Sequence, residues 1–95
     1  MLFRSLRRTG NRLGEANALK NLGAARHLSG QNELASHDLE AALELYEQIG
    51  DLIGKADSMK FLGNLRTTQR DYEAADQLLT EALVLCRKVG DKPAQ

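Results

Sequence analysis

The chain has 95 residues, room for one domain at most. Thirteen Lys and Arg balance thirteen Asp and Glu, which is not the sign of a strong nucleic-acid binder or of a disordered acidic tail. Seventeen leucines and twelve alanines against four valines and isoleucines favour helix over strand, and no apolar run approaches the roughly 18 residues of a membrane span.

The first residues, MLFRSLRRTGNR, hold four arginines and no acid. Two readings stay open. Residues 1–9 are either the end of a preceding helix, with Leu2, Phe3 and Leu6 ahead of Gly10 much as Leu43, Leu45, Tyr46 and Ile49 stand ahead of Gly50, or a basic lead-in with a targeting role.

From Gly10 onward the chain repeats. Residues 10–49 and 50–89 align without gaps at a period of 40, with thirteen identical positions. Each unit predicts two helices. In the first halves, Ala16, Leu19, Leu22, Gly23 and Arg26, and then Ala56, Met59, Leu62, Gly63 and Arg66, recur at spacings of three and four, one face of a helix. The second halves do the same with Ala35, Leu39, Ala42, Leu43 and Tyr46, and with Ala75, Leu79, Ala82, Leu83 and Cys86. Gly30-Gln31-Asn32, Gly50-Asp51, Arg70-Asp71 and Gly90-Asp91 interrupt the pattern as helix stops and caps. Helices are expected near 12–28, 32–49, 52–68 and 72–89, antiparallel to their neighbours because the connections are short. Residues 90–95 read as the start of a third unit.

Gly23 and Gly63 each cost a helix interior about 1 kcal/mol. Their shared register predicts a close approach by the partner helix, whose facing positions include Ala35 and Ala42, then Ala75 and Ala82. Leu22, Leu39 and Leu62 complete the expected packing set.

These residues resemble the tetratricopeptide repeat family: Leu19, Leu22-Gly23, Ala35, Leu39 and Ala42 in one unit, and Met59, Leu62-Gly63, Ala75, Leu79 and Ala82 in the other. The aromatic positions depart from the family pattern, as do Arg26 and Arg66 in place of its usual Tyr. The proline that ends the family's second helix is missing. The 40-residue period resembles the subclass found in G-protein-signalling modulators, kinesin light chains and bacterial regulators with a nucleotide-binding domain. The resemblance implies an all-α fold of two antiparallel helix-hairpin repeats stacked as a short right-handed α-solenoid.

Catalytic material is scarce. Gly50-Asp-Leu-Ile-Gly54-Lys55-Ala56 falls one residue short of a phosphate loop and lacks its Ser or Thr. His27 and His37 have no zinc-like spacing and read as solvated or half-buried. Cys86 takes the place of Tyr46 and is expected to be buried in packing, with a reactive thiol as the alternative; as the lone cysteine it fits a reducing, cytoplasmic setting. No nucleophile stands beside a base, so no enzyme, cofactor or metal is expected.

A binding role has better support. In stacked helical pairs the first helices line the concave surface. Asn17, Lys20, Asn21, Ala24, His27 and Leu28 are left on that face in unit one, and Asp57, Lys60, Phe61, Asn64, Thr67 and Thr68 in unit two. Asn side chains can bond an extended peptide backbone, and Lys20 and Lys60 can meet a carboxylate. The Lys60–Asn64 pair resembles the Lys-Asn pairing by which some family members bind peptide carboxylates; Ala24 leaves the match incomplete in unit one. The competing reading is a solvated face. Phe61 is either an apolar anchor in the groove or a packing residue. The expected partner is a protein or peptide, with no nucleic acid and no membrane.

Two further readings stay open: a detached part of the sensor repeats of a larger regulatory ATPase or transcription regulator, and a structural unit that self-associates through its ends. A solenoid usually needs about three units and a polar cap. The stripe Leu78, Leu79, Leu83, Cys86 and Val89 is therefore expected to lie uncovered as a contact surface.

Overall fold

The computed structural model describes the backbone of residues 2–90 and the side chains of residues 11–89. It contains four α-helices in a row: α1 (Leu2–Leu28), α2 (Asn32–Ile49), α3 (Leu52–Thr68) and α4 (Tyr72–Gly90). Three of the four match the expected spans to within a residue. The start of α1 differs. The helix runs through Gly10 and Asn11 without a turn, because one interior glycine costs only about 1 kcal/mol among good helix formers. Beyond Gly90, which closes α4, the expected third unit lies outside the described residues.

The turns between helices are built from local chemistry. Gly50 closes α2 in the left-handed conformation, φ 77°, and the Asp51 N–H returns to the Tyr46 carbonyl at 3.0 Å. Asp51 then opens α3, its carboxylate accepting the Gly54 N–H at 3.2 Å. Gly30 (φ 84°) and Arg70 (φ 66°) do the same job inside the two units. The Gln31 and Asp71 N–H groups each reach back five residues, to the Arg26 and Arg66 carbonyls, at 2.8 Å. At the start of α2 it is Gln31, not Asn32, that occupies the cap position, and it makes no side-chain bond.

Consecutive helices pack antiparallel. The backbones of α1 and α3 also approach each other, while those of α2 and α4 stay apart. The fold is therefore a short helical-repeat stack, curved with its first helices on the inside. Glycines set the spacing within each unit. A Cβ at Gly23 would lie 2.7 Å from Leu39 Cγ and 3.2 Å from the Ala35 carbonyl; at Gly63 it would lie 2.7 Å from Leu79 Cγ. The close approach predicted at these glycines is present, and a leucine rather than the expected second alanine fills the space over each.

The core has two parts. Ala35, Leu39, Leu62 and Leu65 form a buried cluster that joins α2 to α3, with Leu43, Phe61 and Leu78 packed against it. Ala16, Ala42 and Tyr46 form a second, flanked by Leu19, Leu45 and Ile49. The first cluster ties one repeat to the next, so the two units share a core.

Burial departs from the repeat symmetry in an orderly way. Leu62 is buried at 3% exposure, yet its counterpart Leu22 is 44% exposed. The expected packing role of Leu22 is thus corrected: α3 lies between α2 and α4, whereas no helix among the described residues covers Leu22 on α1. Leu65 and Ser58 are likewise buried where Ala25 and Ala18 are exposed.

Candidate interaction surface

Several of the residues expected to line a groove on α1 and α3 already have partners. Lys20 Nζ lies 3.5 Å from Asp57 Oδ2, bridging the two helices, and 5.9 Å from the centre of the Tyr46 ring. The Tyr46 hydroxyl donates to Asn17 Oδ1. Burial pushes the Tyr46 phenol above its ordinary 10.0, and the carboxylates of Asp51 and Asp57 add to the shift. His27 Nε2 lies 2.9 Å from Thr68 Oγ1, a second tie between α1 and α3. Thr67 Oγ1 donates to the Gly63 carbonyl at 3.0 Å, back-bonding within its own helix. Ala24 is half-buried, and Leu28 is almost fully exposed.

Asn21, Lys60 and Asn64 are different. All three are exposed, and their side chains make no hydrogen bond or ion pair with other described residues. Asn21 and Lys60 occupy first helices of adjacent units, and Asn64 follows Lys60 by one turn. Phe61 lies half-buried against the Ala35–Leu39–Leu62–Leu65 cluster. Of its two readings, packing accounts for this position.

The opposite side carries a feature that the sequence pattern did not announce. A cleft of about 480 Å³ opens between α2 and α4, floored by Met59 and walled by Leu43, Leu78, Val84 and Leu85, with Glu47, Lys55 and Glu81 at its edges. Leu45 and Leu85 are identical in the two units, a signal that lay outside the packing stripe. The cleft exists because α2 and α4 splay while α1 and α3 converge.

The end face of α4 is open only in part. Leu83 is 54% exposed and Cys86 is exposed. Leu79 and Val89 are half-buried, and Leu78 turns inward onto the core cluster. Two expectations are corrected here. Leu78 is not an end-face residue, and Cys86 is not buried. The face that Tyr46 buries against α3 has no further helix against it at Cys86 among the described residues. Replacing the tyrosine by cysteine also leaves a hollow of about 190 Å³ lined by Ile53, Ala56, Asp57, Cys86 and Val89.

Charged pairs reinforce the contact between units. Arg66 Nη2 donates to Glu40 Oε2 at 2.8 Å and to Ser36 Oγ at 3.0 Å. Lys55 Nζ lies 3.4 Å from Glu47 Oε2. Arg26, at the position equivalent to Arg66, turns within its own unit to the buried carboxylate of Asp38 at 2.9 Å. Unit two has Leu78 where Asp38 stands, so Arg66 looks across the repeat boundary.

Among the described residues, no group of His, Cys, Asp and Glu is arranged to hold a metal ion, and no helix is long and apolar enough to cross a membrane. His37 is exposed.

Neither a search of the curated proteins nor one of the solved structures returned a significant match. The family model described as Tetratricopeptide repeat matches residues 14–88. That span takes in nearly all of both 40-residue units, whose helix pairs and glycine-spaced contacts have just been described, and the chain belongs to the tetratricopeptide repeat family.

Proposed function

We propose that this chain is a protein-interaction module that holds an extended peptide or protein segment on the inner face of α1 and α3. Repeats of this family generally mediate protein–protein interaction. The reading is supported by Asn21, Lys60 and Asn64, exposed on the first helices of the two units and without intramolecular side-chain partners among the described residues. Asn21 and Asn64 supply donors and acceptors for a peptide backbone, and Lys60 supplies a cation for an acidic side chain or a terminal carboxylate. Lys20 is held by Asp57 and serves to set the distance between the helices. The chain performs no chemistry of its own in this reading. Its exposed lone thiol at Cys86 suits the reducing cytoplasm.

The test is capture of partners on the immobilised chain, compared with a variant carrying Asn21→Ala, Lys60→Ala and Asn64→Ala. Exposed substitutions of this kind change stability by only about 0.5 kcal/mol each, so the variant should melt close to the parent while losing its partners. If it keeps every partner, the groove is not the binding surface.

A further inference from the structure

We propose that copies of this chain stack head to tail, the outer face of α4 in one protomer receiving the outer face of α1 in its partner. The arrangement would repeat, one unit further on, the way α2 receives α3 inside the chain. This inference rests on the repeat packing and is independent of the groove reading.

The internal contact includes apolar packing of Leu39 and Leu43 on Leu62 and Leu65, the Tyr46 ring over Gly54, the Glu47–Lys55 ion pair, and the bonds of Arg66 to Glu40 and Ser36. Moving each position by one period places α4 where α2 stood, and α1 of a second copy where α3 stood. Leu83 then takes the place of Leu43, and Leu22 that of Leu62; both are exposed, at 54% and 44%. Gly14 takes the place of Gly54, with no atom of the described residues within 4 Å of a Cβ built there. The space an α4 side chain needs is therefore open.

The charges decide the occupant. The equivalents of Glu47 and Lys55 are Arg87 and Glu15, both exposed. Both signs have changed, so attraction survives between α4 of one copy and α1 of the next. Two α4 faces brought together would instead present Arg87 to the same apolar patch from both sides. Charge complementarity of this kind selects register and partner. An α4-to-α1 contact is heterologous, and each protomer added leaves a fresh face at both ends.

Sedimentation equilibrium of the full chain in reducing buffer tests this. The average mass should climb with concentration and continue past the dimer. Leu22→Glu blocks the α1 face and Leu83→Glu the α4 face, each weakening association roughly a hundredfold by putting a charge in the contact. Each variant should be a monomer alone, and an equimolar mixture should form a one-to-one dimer and nothing larger. Glu15→Lys should weaken assembly, and adding Arg87→Glu to the same chain should restore it. Circular dichroism of each variant shows that the helices are intact. A wild-type chain that stays monomeric at about 1 mM overturns the proposal. So does self-association of Leu22→Glu alone, which would mean that α4 faces pair with each other, and so does failure of the charge exchange to restore assembly.

Discussion

The ring of Tyr46 lies on the backbone of Gly54, so close that a Cβ at Gly54 would stand 2.7 Å from the ring's Cζ and nearer still to two other ring atoms. This contact joins the repeats: Tyr46 belongs to α2, its hydroxyl is held by Asn17 of α1, and Gly54 opens α3. Gly14, the same position one period earlier, meets no atom of the described residues within 4 Å. Alanine should therefore act with opposite signs at equivalent sites. Gly54→Ala should cost about 2 kcal/mol, because overpacking against a rigid ring outweighs the gain in helix propensity. Gly14→Ala should stabilise by about 0.5–1 kcal/mol. Chemical denaturation of the two variants checks both; equal shifts of the same sign would contradict the contact.

Gly63 should be intolerant for a related reason. Leu79 already fills the space above it, and the Ala75 carbonyl lies 3.5 Å from where a Cβ would stand. Gly63→Leu inserts a second leucine and should cost about 3 kcal/mol, parting α3 from α4. An unchanged melting curve would remove this account of the hairpin.

Arg26 and Arg66 occupy one register but should differ in weight. Asp38 is buried and its carboxylate is met by Arg26, so Arg26→Ala leaves a desolvated charge without its partner and should cost about 1–3 kcal/mol. The partner of Arg66 is the exposed Glu40, and Arg66→Ala should cost under about 1 kcal/mol. Thermal melts at pH 7 separate the two.

Arg70 holds φ 66° at the turn where unit one has Gly30 at φ 84°. A side chain there costs about 1 kcal/mol relative to glycine. Arg70→Gly should raise the melting temperature by about 4–8 °C. A fall would mean that the arginine side chain contributes more than its backbone costs.

Stability should also fall in alkali through Tyr46. Its phenol is raised above 10.0 by burial, with Asp51 and Asp57 adding, so the folded chain holds the proton more tightly than the unfolded chain does. The resulting stabilisation is complete below about pH 10 and is lost as pH rises through the folded value. Melting temperatures measured from pH 8 upward should drop more steeply for the parent than for Tyr46→Phe. Parallel curves would refute the assignment.

The helix pattern was legible without coordinates. Leucines and alanines at spacings of three and four mark each packing face, and Gly50-Asp51 names its own turn, because few residues other than glycine take a left-handed φ and Asp is a strong helix cap. The shared glycines Gly23 and Gly63 likewise announced close helix contact. The exposed positions Asn21, Lys60 and Asn64 could be named from the sequence, since a 3.6-residue period tells which side chains leave the packing stripe.

What each face meets was decided in three dimensions. Leu22 and Leu62 are identical in sequence, yet one is half exposed and the other buried, because burial depends on a neighbouring helix that the local pattern does not contain. Arg26 and Arg66 are also identical, but they diverge because unit two has Leu78 where Asp38 stands, which leaves Arg66 to pair with Glu40 across the repeat boundary. The cleft between α2 and α4 arises from the angle at which the second unit sits on the first. Local periodicity determined four helices and their apolar faces. The stacking of one hairpin on another decided which faces are filled, which charges pair and which surfaces stay open, since close packing is a property of the assembled helices and not of any one of them.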